Sequence, residues 1–408
     1  MHNVKNGSGP TRRRLLAGAA AAGGIAWQAA AQPAAPIRVG VLTDMSGPFS
    51  SITGPGAVVA ARLAAEEFGM EVNGRKIEIL SADHQNKPDV GVAIAGEWFG
   101  KQGVDVVAEL VGSAVAMAVV DVARRENRIA LVSGAGTSDI TGRGCGPTIF
   151  HWTWDSFGLA RGTVKALMEQ GGQDWFFITA DYAFGHVQER DSTMELTRPG
   201  GRVKGSVRVP PNTTDYSAYL LQASASGATV LALATAGGTM TALKQAREFG
   251  IERAGMRVVP LQLTLAEAHA IGPEAVQGAR TLTAFYWDRT PESRAWSQRY
   301  FARTQAMPTD MQAGVYSAVR HYLQAIKDGA GPNPTAIAAK MRATPVADAF
   351  APSGTIRTDG RVVHDMYLVE AKKPAESTNP WDLFKVVGDL RGDQVFRRLG
   401  EGGCLLKS

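Results

Sequence analysis

The sequence predicts an α/β protein built as two successive doubly wound lobes with mainly parallel sheets. Apolar runs of strand length alternate with amphipathic helical stretches from Ile37 onward, the pattern of βαβ units. The alternation runs through one series, breaks at the glycine-rich stretch Gly142–Gly146, and begins again. At 408 residues the chain exceeds the size of a single growing core, and domains settle at roughly 50–200 residues each. A hydrophobic content of 45% supplies two cores and excludes a disordered chain.

In the first series, Ile37–Thr43 reads as a strand, followed by a Gly/Ser/Pro loop and a helix over Ala57–Phe68. Ile77–Ala82 is the second strand, with its helix at Asp89–Gly100. Val104–Leu110 is the third, followed by a helix from Ala114 to Arg125, and Ile129–Ser133 the fourth. The second series opens with an extended stretch, Thr148–Trp152, and a helix over Ser156–Glu169. Its strands are Trp175–Thr179, Val203–Val209, Val230–Thr235 and Val258–Leu261. Helices fall around Gly185–Thr197, Tyr216–Ala225 and Thr239–Phe249. Parallel strands joined this way need right-handed crossovers. The remainder changes character: helices at Glu292–Gln305, Met311–Asp328 and Pro334–Met341, then short strands at Thr355–Arg357, Val362–Glu370 and Leu383–Val387. No tandem repeat is visible, which argues against a solenoid.

Residues 1–31 read as a twin-arginine export signal. Arg12-Arg13-Arg14 precedes Leu15-Leu16, a short Ala/Gly-rich apolar stretch follows, and Ala29-Ala30-Ala31 supplies a small-residue cleavage end. That stretch is too short and too rich in small residues to span a membrane. No cysteine sits near the cleavage end, so a lipid anchor has no support, and the mature chain is expected to be soluble in the periplasm without membrane insertion. Removing residues 1–31 from 408 leaves 377. It also lowers Lys+Arg from 43 to 39 against 38 Asp+Glu, so the net charge drops from +5 to +1. Nucleic-acid binding loses its main support with that charge.

The two cysteines, Cys145 and Cys404, lack CxxC spacing, which disfavours metal and redox motifs. In an oxidising compartment a single disulfide is their natural pairing, and two buried thiols are the alternative.

In open parallel sheets, ligands bind beyond the carboxyl ends of the strands, beside helix N-termini. The informative residues are therefore those just after each strand: Asp44-Met45-Ser46-Gly47-Pro48, Gly112-Ser113 and Gly134-Ala135-Gly136-Thr137 in the first series. Asp181-Tyr182-Ala183-Phe184-Gly185 and Ala236-Gly237-Gly238 hold the same station in the second. Small residues, hydroxyls and free N–H groups suit an uncharged polar group or a carboxylate. Taken singly, Ser46, Ser113 and Thr137 read equally as helix caps. Trp152, Trp154, Tyr182, Phe184, Tyr286 and Trp287 are candidate ring walls, and Asp155 a candidate N-cap. GxSxG, Walker A and HExxH motifs are absent, and Gly134-Ala135-Gly136 lacks the third glycine of a dinucleotide fingerprint. No cofactor, metal or catalytic residue is expected. An exported nucleotide-cofactor oxidoreductase is the rival of another class.

At these loops the chain resembles the type I periplasmic solute-binding proteins of ABC importers, in the leucine/isoleucine/valine-receptor branch. The resemblance rests on Asp44-Met45-Ser46-Gly47-Pro48, Ser133-Gly134-Ala135-Gly136-Thr137 and Asp181-Tyr182-Ala183-Phe184-Gly185, and spans essentially the whole mature chain. It implies two lobes hinged by three crossovers: residues 37–153 plus 288–345, and 154–287 plus 353–408. The crossovers are expected near Thr153–Asp155, Ala284–Asp288 and Ala343–Pro352. The expected ligand-binding residues are Ser46, Ser113, Ala135, Thr137, Trp154, Tyr182, Gly237 and Tyr286, with Ser113, Ala135 and Thr137 holding a carboxylate and Tyr182 facing it. Amino-acid receptors of this branch add an acidic side chain after a second-lobe strand, where this chain reads Ala236-Gly237-Gly238. That departure argues against aliphatic amino acids, since a buried ammonium without a counter-charge is costly. The His151–Asp155, Phe285–Asp288 and Pro380–Asp382 segments are similar to members that bind aromatic carboxylates. Those members also pair a mid-chain cysteine with one near the C-terminus. The resemblance therefore implies a monomeric receptor that closes on a small aromatic or hydrophobic acid and docks on a membrane permease. A branched-chain or other amino-acid receptor is the alternative within the family, and a sensory role is the alternative to import.

Overall fold

The computed structural model describes residues 34–406, so the export signal expected over 1–31 lies outside the described residues. From Ala35 onward the chain forms one compact unit.

The first sheet contains β1 (Ile37–Thr43), β2 (Glu71–Val72), β3 (Arg75–Asp83), β4 (Val106–Glu109), β5 (Ile129–Val132) and β6 (Ile149–His151), in the order β2-β3-β1-β4-β5-β6. Every pairing is parallel except the β2–β3 hairpin. That hairpin turns on Asn73-Gly74, both at positive φ, the dipeptide a two-residue turn requires. Thr148–Trp152, expected to open the second series, instead closes the first: β6 pairs with β5, Ala130 opposite Ile149. The inward faces are fully buried aliphatics such as Val39, Val41, Val106, Ala108 and Leu131. A parallel sheet needs such runs because helices cover both its faces.

The second sheet contains β7 (Asp174–Ala180), β8 (Arg202–Val209), β9 (Val230–Ala234) and β10 (Arg257–Pro260), ordered β10-β9-β7-β8 and parallel throughout. A third sheet is antiparallel. It joins β11 (Arg280–Thr283), absent from the sequence reading, to two strands near the C-terminus. Before them comes a ribbon of β12 (Thr355–Ile356) and β13 (Val362–Val363), and then β14 (Met366–Ala371) and β15 (Phe384–Leu390). The single strand expected over Val362–Glu370 is thus broken in two. The break falls at His364-Asp365, where the His364 ring turns inward and its Nε2 stands 3.1 Å from the carbonyls of Trp152 and Thr153.

After β11 the chain returns to the first sheet. The helix Asp310–Lys327 packs on the helix Gly54–Glu66 and on β4 and β5. Its residues are buried apart from a stripe of Arg320, Gln324 and Lys327, one polar edge of an amphipathic helix. Cys145 and Cys404 are bonded, with Cα atoms 5.8 Å apart and a sequence separation of 259. The bond fixes the C-terminal segment to the loop after β5. On chain-entropy grounds it stabilises by about 5 kcal/mol at most.

In the first sheet β1 is flanked by β3 on one side and β4 on the other, so the connections reverse direction between β1 and β4. In the second the same reversal falls between β7 and β9. Crevices open at such reversals.

Candidate functional site

Both reversals contribute to one cleft. Its inner recess, about 30 Å³, is lined from the first sheet by Phe49 and Ile52 after β1, Val111–Ser113 after β4, Gly134 and Gly136 after β5, and Trp154 after β6. From the second sheet come Tyr182 and Phe184 after β7, Ala236 after β9, and Gln262 after β10. Met311 closes the end. The recess shares Phe49, Gly112, Ser113, Tyr182 and Ala236 with a wider outer space of about 420 Å³, which Gly237, Asn86, Thr213 and Tyr216 help to line.

Local chemistry places each wall. The Asp44 carboxylate accepts from the N–H groups of Gly47 (2.8 Å) and Phe49 (3.0 Å), folding the loop so that Phe49 turns into the cleft. After β4 the backbone enters the left-handed region twice, at Glu109 (φ 85°) and Leu110 (φ 63°), and again at Gly112 (φ 87°). Non-glycine residues in that region carry strain, and such strain clusters at ligand clamps. The Glu109 carboxyl curls back to accept from the Val111 N–H at 2.9 Å. Gly112 then caps the helix Ser113–Arg125 without a side-chain bond, leaving the first-turn N–H groups free. The Ser113 hydroxyl is buried and has no partner among the described residues.

Two glycines set the floor. A Cβ on Gly134 would stand 1.8 Å from Glu109 Oε1, and one on Gly136 would stand 2.3 Å from Trp154 and 2.6 Å from Phe184. Only glycine lets these rings meet over the backbone, and they pack edge-on with centroids 6.1 Å apart. Opposite, the Tyr182 hydroxyl donates to the Ala236 carbonyl at 3.0 Å, which fixes the ring, and burial pushes its phenol above the ordinary range.

Of the residues expected from sequence, Ser113, Trp154, Tyr182 and Gly237 line the cleft; Ser46, Ala135, Thr137 and Tyr286 do not. The Ser46 hydroxyl donates to Asp83 at 2.6 Å on an exposed rim. Ala135 points away, and its carbonyl meets His151 Nε2 at 2.7 Å. Thr137 accepts from the Asp139 N–H and starts the 3₁₀ turn Ser138–Thr141. Tyr286 is buried against Phe384 and Trp287. Asp155 is an N-cap, accepting from the Gly158 N–H at 2.7 Å. Gln262, Ile52 and Met311 were missed. Gln262 follows the strand expected over Val258–Leu261 directly, so the strand-end rule reaches it.

No side chain lining either part of the cleft is ionisable near neutral pH. The nearby acids lie beneath the lining, each held by bonds. Burial raises the Glu109 carboxyl to about 8, against the bond from the Val111 N–H. Burial also raises Glu267, against its bonds from the N–H and hydroxyl of Thr264. Asp310 is raised by burial as well, though it accepts from the Ala284 N–H (3.3 Å), the Thr283 hydroxyl (3.0 Å) and the Met311 N–H (2.9 Å).

Just behind the cleft, charge is sealed in. Arg361 is fully buried, 3.3 Å from Asp155 Oδ2, bonded to the carbonyls of Thr153 and Val362, and stacked 4.4 Å from the Phe396 ring. Burial raises Asp155, but the guanidinium overcomes this and holds the carboxyl below its usual range. Burial and the same guanidinium lower His151 to about 3 and His364 to about 4. This knot ties Thr153–Asp155, where the chain leaves the first sheet, to the return strands.

Among the described residues no group of three or more His, Cys, Asp or Glu could hold a metal, and no helix is long and apolar enough to cross a membrane. A larger hollow, about 1200 Å³ beside Arg161, Glu195 and Arg198, shares no lining residue with the cleft. Among its charges, Glu195 pairs with Arg161 at 2.9 Å and with Arg198 at 2.8 Å.

The profile of the periplasmic binding protein family matches residues 36–377. A Brucella melitensis protein named Leu/Ile/Val-binding protein homolog 6 is 24% identical over 356 residues, 84% of this chain and 89% of its own. A solved periplasmic binding protein from Burkholderia mallei is 40% identical, with TM-score 0.88, covering 91% of this chain and 99% of that one. A branched chain amino acid ABC transporter periplasmic ligand-binding protein from Burkholderia xenovorans is 35% identical, with TM-score 0.83 over 90% and 99%. An ABC transporter solute binding protein from R. palustris, solved in complex with benzoate, shares the fold at 20% identity, TM-score 0.78, over 91% and 100%.

Proposed function

The chain belongs to the periplasmic binding protein family, as a substrate-binding component of ABC transporters, and from that premise we propose that it captures a small aromatic or hydrophobic carboxylate in the periplasm. The observation that carries this reading is the lining: free N–H groups, one unpartnered hydroxyl, aromatic rings, and no ionisable side chain near neutral pH. Such a wall satisfies a carboxylate at a helix N-terminus and a ring between Phe49, Trp154 and Phe184. An α-ammonium would lie buried without a counter-charge, which is costly. Glu267, an acid after the second sheet, is engaged by Thr264 in its own capping box.

The two sheets serve in this reading as two lobes, 37–153 with 288–345 and 154–287 with 353–408. Crossovers near residues 153–155, 284–288 and 343–352 act as the hinge. A ligand touching both walls favours the closed arrangement by its differential affinity. The closed form then docks on a membrane permease, and one copy suffices for the cycle.

A branched-chain amino-acid ligand is the second reading, favoured by the names of the Brucella and Burkholderia relatives. Tryptophan fluorescence separates the two because Trp154 lines the recess. Titration with benzoate and cinnamate is expected to give a saturable change, and leucine none. Saturation with leucine alone overturns the proposal.

A further inference from the structure

With about 420 Å³, the outer space is the part of the cleft with room for a whole small molecule. Three helix starts line it. The helix Ser113–Arg125 follows β4 of the first sheet, and the helices Ala183–Thr197 and Thr239–Glu248 follow β7 and β9 of the second. No side chain caps any of the three, so their first-turn N–H groups stay open. Five other helices, none starting on this wall, are each capped by a side chain: Asp155, Thr264, Thr290, Thr309 or Asn333.

At Gly238, the residue before Thr239, a Cβ would clash with the Tyr216 hydroxyl, so glycine lets that hydroxyl sit over the helix start. Tyr216 lines the outer space, is 2% exposed, and its hydroxyl has no hydrogen-bond partner among the described residues. Ser113, at the first-sheet start, is 4% exposed with an unpartnered hydroxyl. Each sheet thus brings a buried, unsatisfied hydroxyl and an open helix start to one space. Such a start is equivalent to about half a positive charge and favours an anion. One carboxylate meets the first-sheet start, and two starts remain. An ammonium is repelled there, and a bare ring leaves the Tyr216 hydroxyl and the N–H groups without acceptors, which is costly. A second carboxylate accepts from all of them. The acids beside these residues in sequence are exposed and taken: Asp181 by His186 at 2.8 Å, and Asp215 by the Ser217 N–H at 2.9 Å.

We propose that the ligand is a dicarboxylate, with one acid at Ser113 and the first-sheet helix start, and the other at Tyr216 and the second-sheet starts. This rests on the reading of the cleft as a carboxylate site and goes beyond it by giving the second sheet an acid of its own to hold.

The test is calorimetric titration of the full mature protein with terephthalate, isophthalate and their monomethyl esters, repeated on Tyr216→Phe. Each ester keeps the shape and one acid and removes the second charge. In the wild type the better-bound diacid is expected to exceed its own ester by about 10-fold or more, in line with charge-assisted hydrogen bonds at a helix start. Tyr216→Phe is expected to weaken the diacid by about fivefold or more and leave the ester within about twofold, whereas a damaged pocket weakens both alike. Esters binding as tightly as their diacids overturn the second acid and leave the carboxylate reading standing. So does an unchanged ratio of diacid to ester in Tyr216→Phe. Failure of the wild type to bind any of the four overturns the proposal as well, and benzoate and leucine titrated alongside separate the two readings: binding of benzoate keeps the carboxylate site, and binding of leucine alone removes it.

Discussion

Trp154 and Asp155 are neighbours in sequence and belong to opposite kinds of environment. Trp154 faces a cleft whose polar groups are neutral and partly unpartnered. Asp155 turns the other way, into a knot where every strong charge has a fixed partner: Arg361, the Gly158 N–H and the carbonyls around them. A recognition surface needs open valences, because a donor already satisfied gives nothing to a ligand. A pivot needs the reverse, since charges removed from water hold geometry only when fully compensated. The turn leaving β6 supplies both on successive residues, one facing the cleft and the next capping a helix.

Breaking the knot gives the largest expected effect. Arg361→Met leaves Asp155 buried and unpaired, and stability falls by about 3–5 kcal/mol, read as the urea midpoint at pH 7. Below the depressed Asp155 value the deficit closes, because protonation there costs the wild type its own stabilisation. The sign follows from linkage: a carboxyl held low contributes above its unfolded value and loses that contribution as pH falls through its folded one. A deficit that persists unchanged in strong acid contradicts the pairing.

Gly136→Ala tests the cleft itself. The added methyl meets Trp154 and Phe184 at 2.3 and 2.6 Å, and overpacking of this kind costs about 1–3 kcal/mol. The expected outcome is an affinity loss of about 10- to 100-fold with a smaller change in the urea midpoint, sorting binding from stability. A loss confined to stability, with affinity intact, blurs the distinction.

The smallest effect concerns the acid under the floor. Glu109 holds its proton to about 8, against 4.5 for a free carboxyl. The folded chain therefore keeps a proton that the unfolded chain releases above about 4.5, and this favourable contribution fades as pH rises through 8. The anion then formed beneath Gly134 repels a bound carboxylate, and affinity is expected to drop about threefold between pH 7 and 9. Glu109→Gln keeps an acceptor for the Val111 N–H and is expected to flatten that dependence in a calorimetric pH series. The same slope in both proteins removes Glu109 as its source.

Much of this architecture is legible in sequence. The central parallel strands are short apolar runs with turn residues after them, so their ends, and with them Ser113, Trp154, Tyr182 and Gly237, can be read from the chain. Side-chain direction past a strand end cannot. Thr137 and Ser113 look alike as residues, yet the first is consumed by the Asp139 N–H and the second is left free. Ala135 sits between two cleft glycines and points out because the chain alternates. β11 escaped notice because Arg280–Thr283 is short and half polar, and only its pairing with β14 makes it a strand. Arg361 gave no sign in the sequence of being fully buried; Thr153 and Asp155, which it meets, lie more than 200 residues away.

The central claim is that an uncharged cleft takes an acid and refuses an ammonium. Phenylalanine and 3-phenylpropionate differ only in that ammonium, so calorimetric titration of the mature protein with each isolates it. The account predicts saturable binding of 3-phenylpropionate about 100-fold or more tighter than phenylalanine, the cost of burying an uncompensated cation. Phenylalanine binding as tightly as 3-phenylpropionate, or more so, would contradict it.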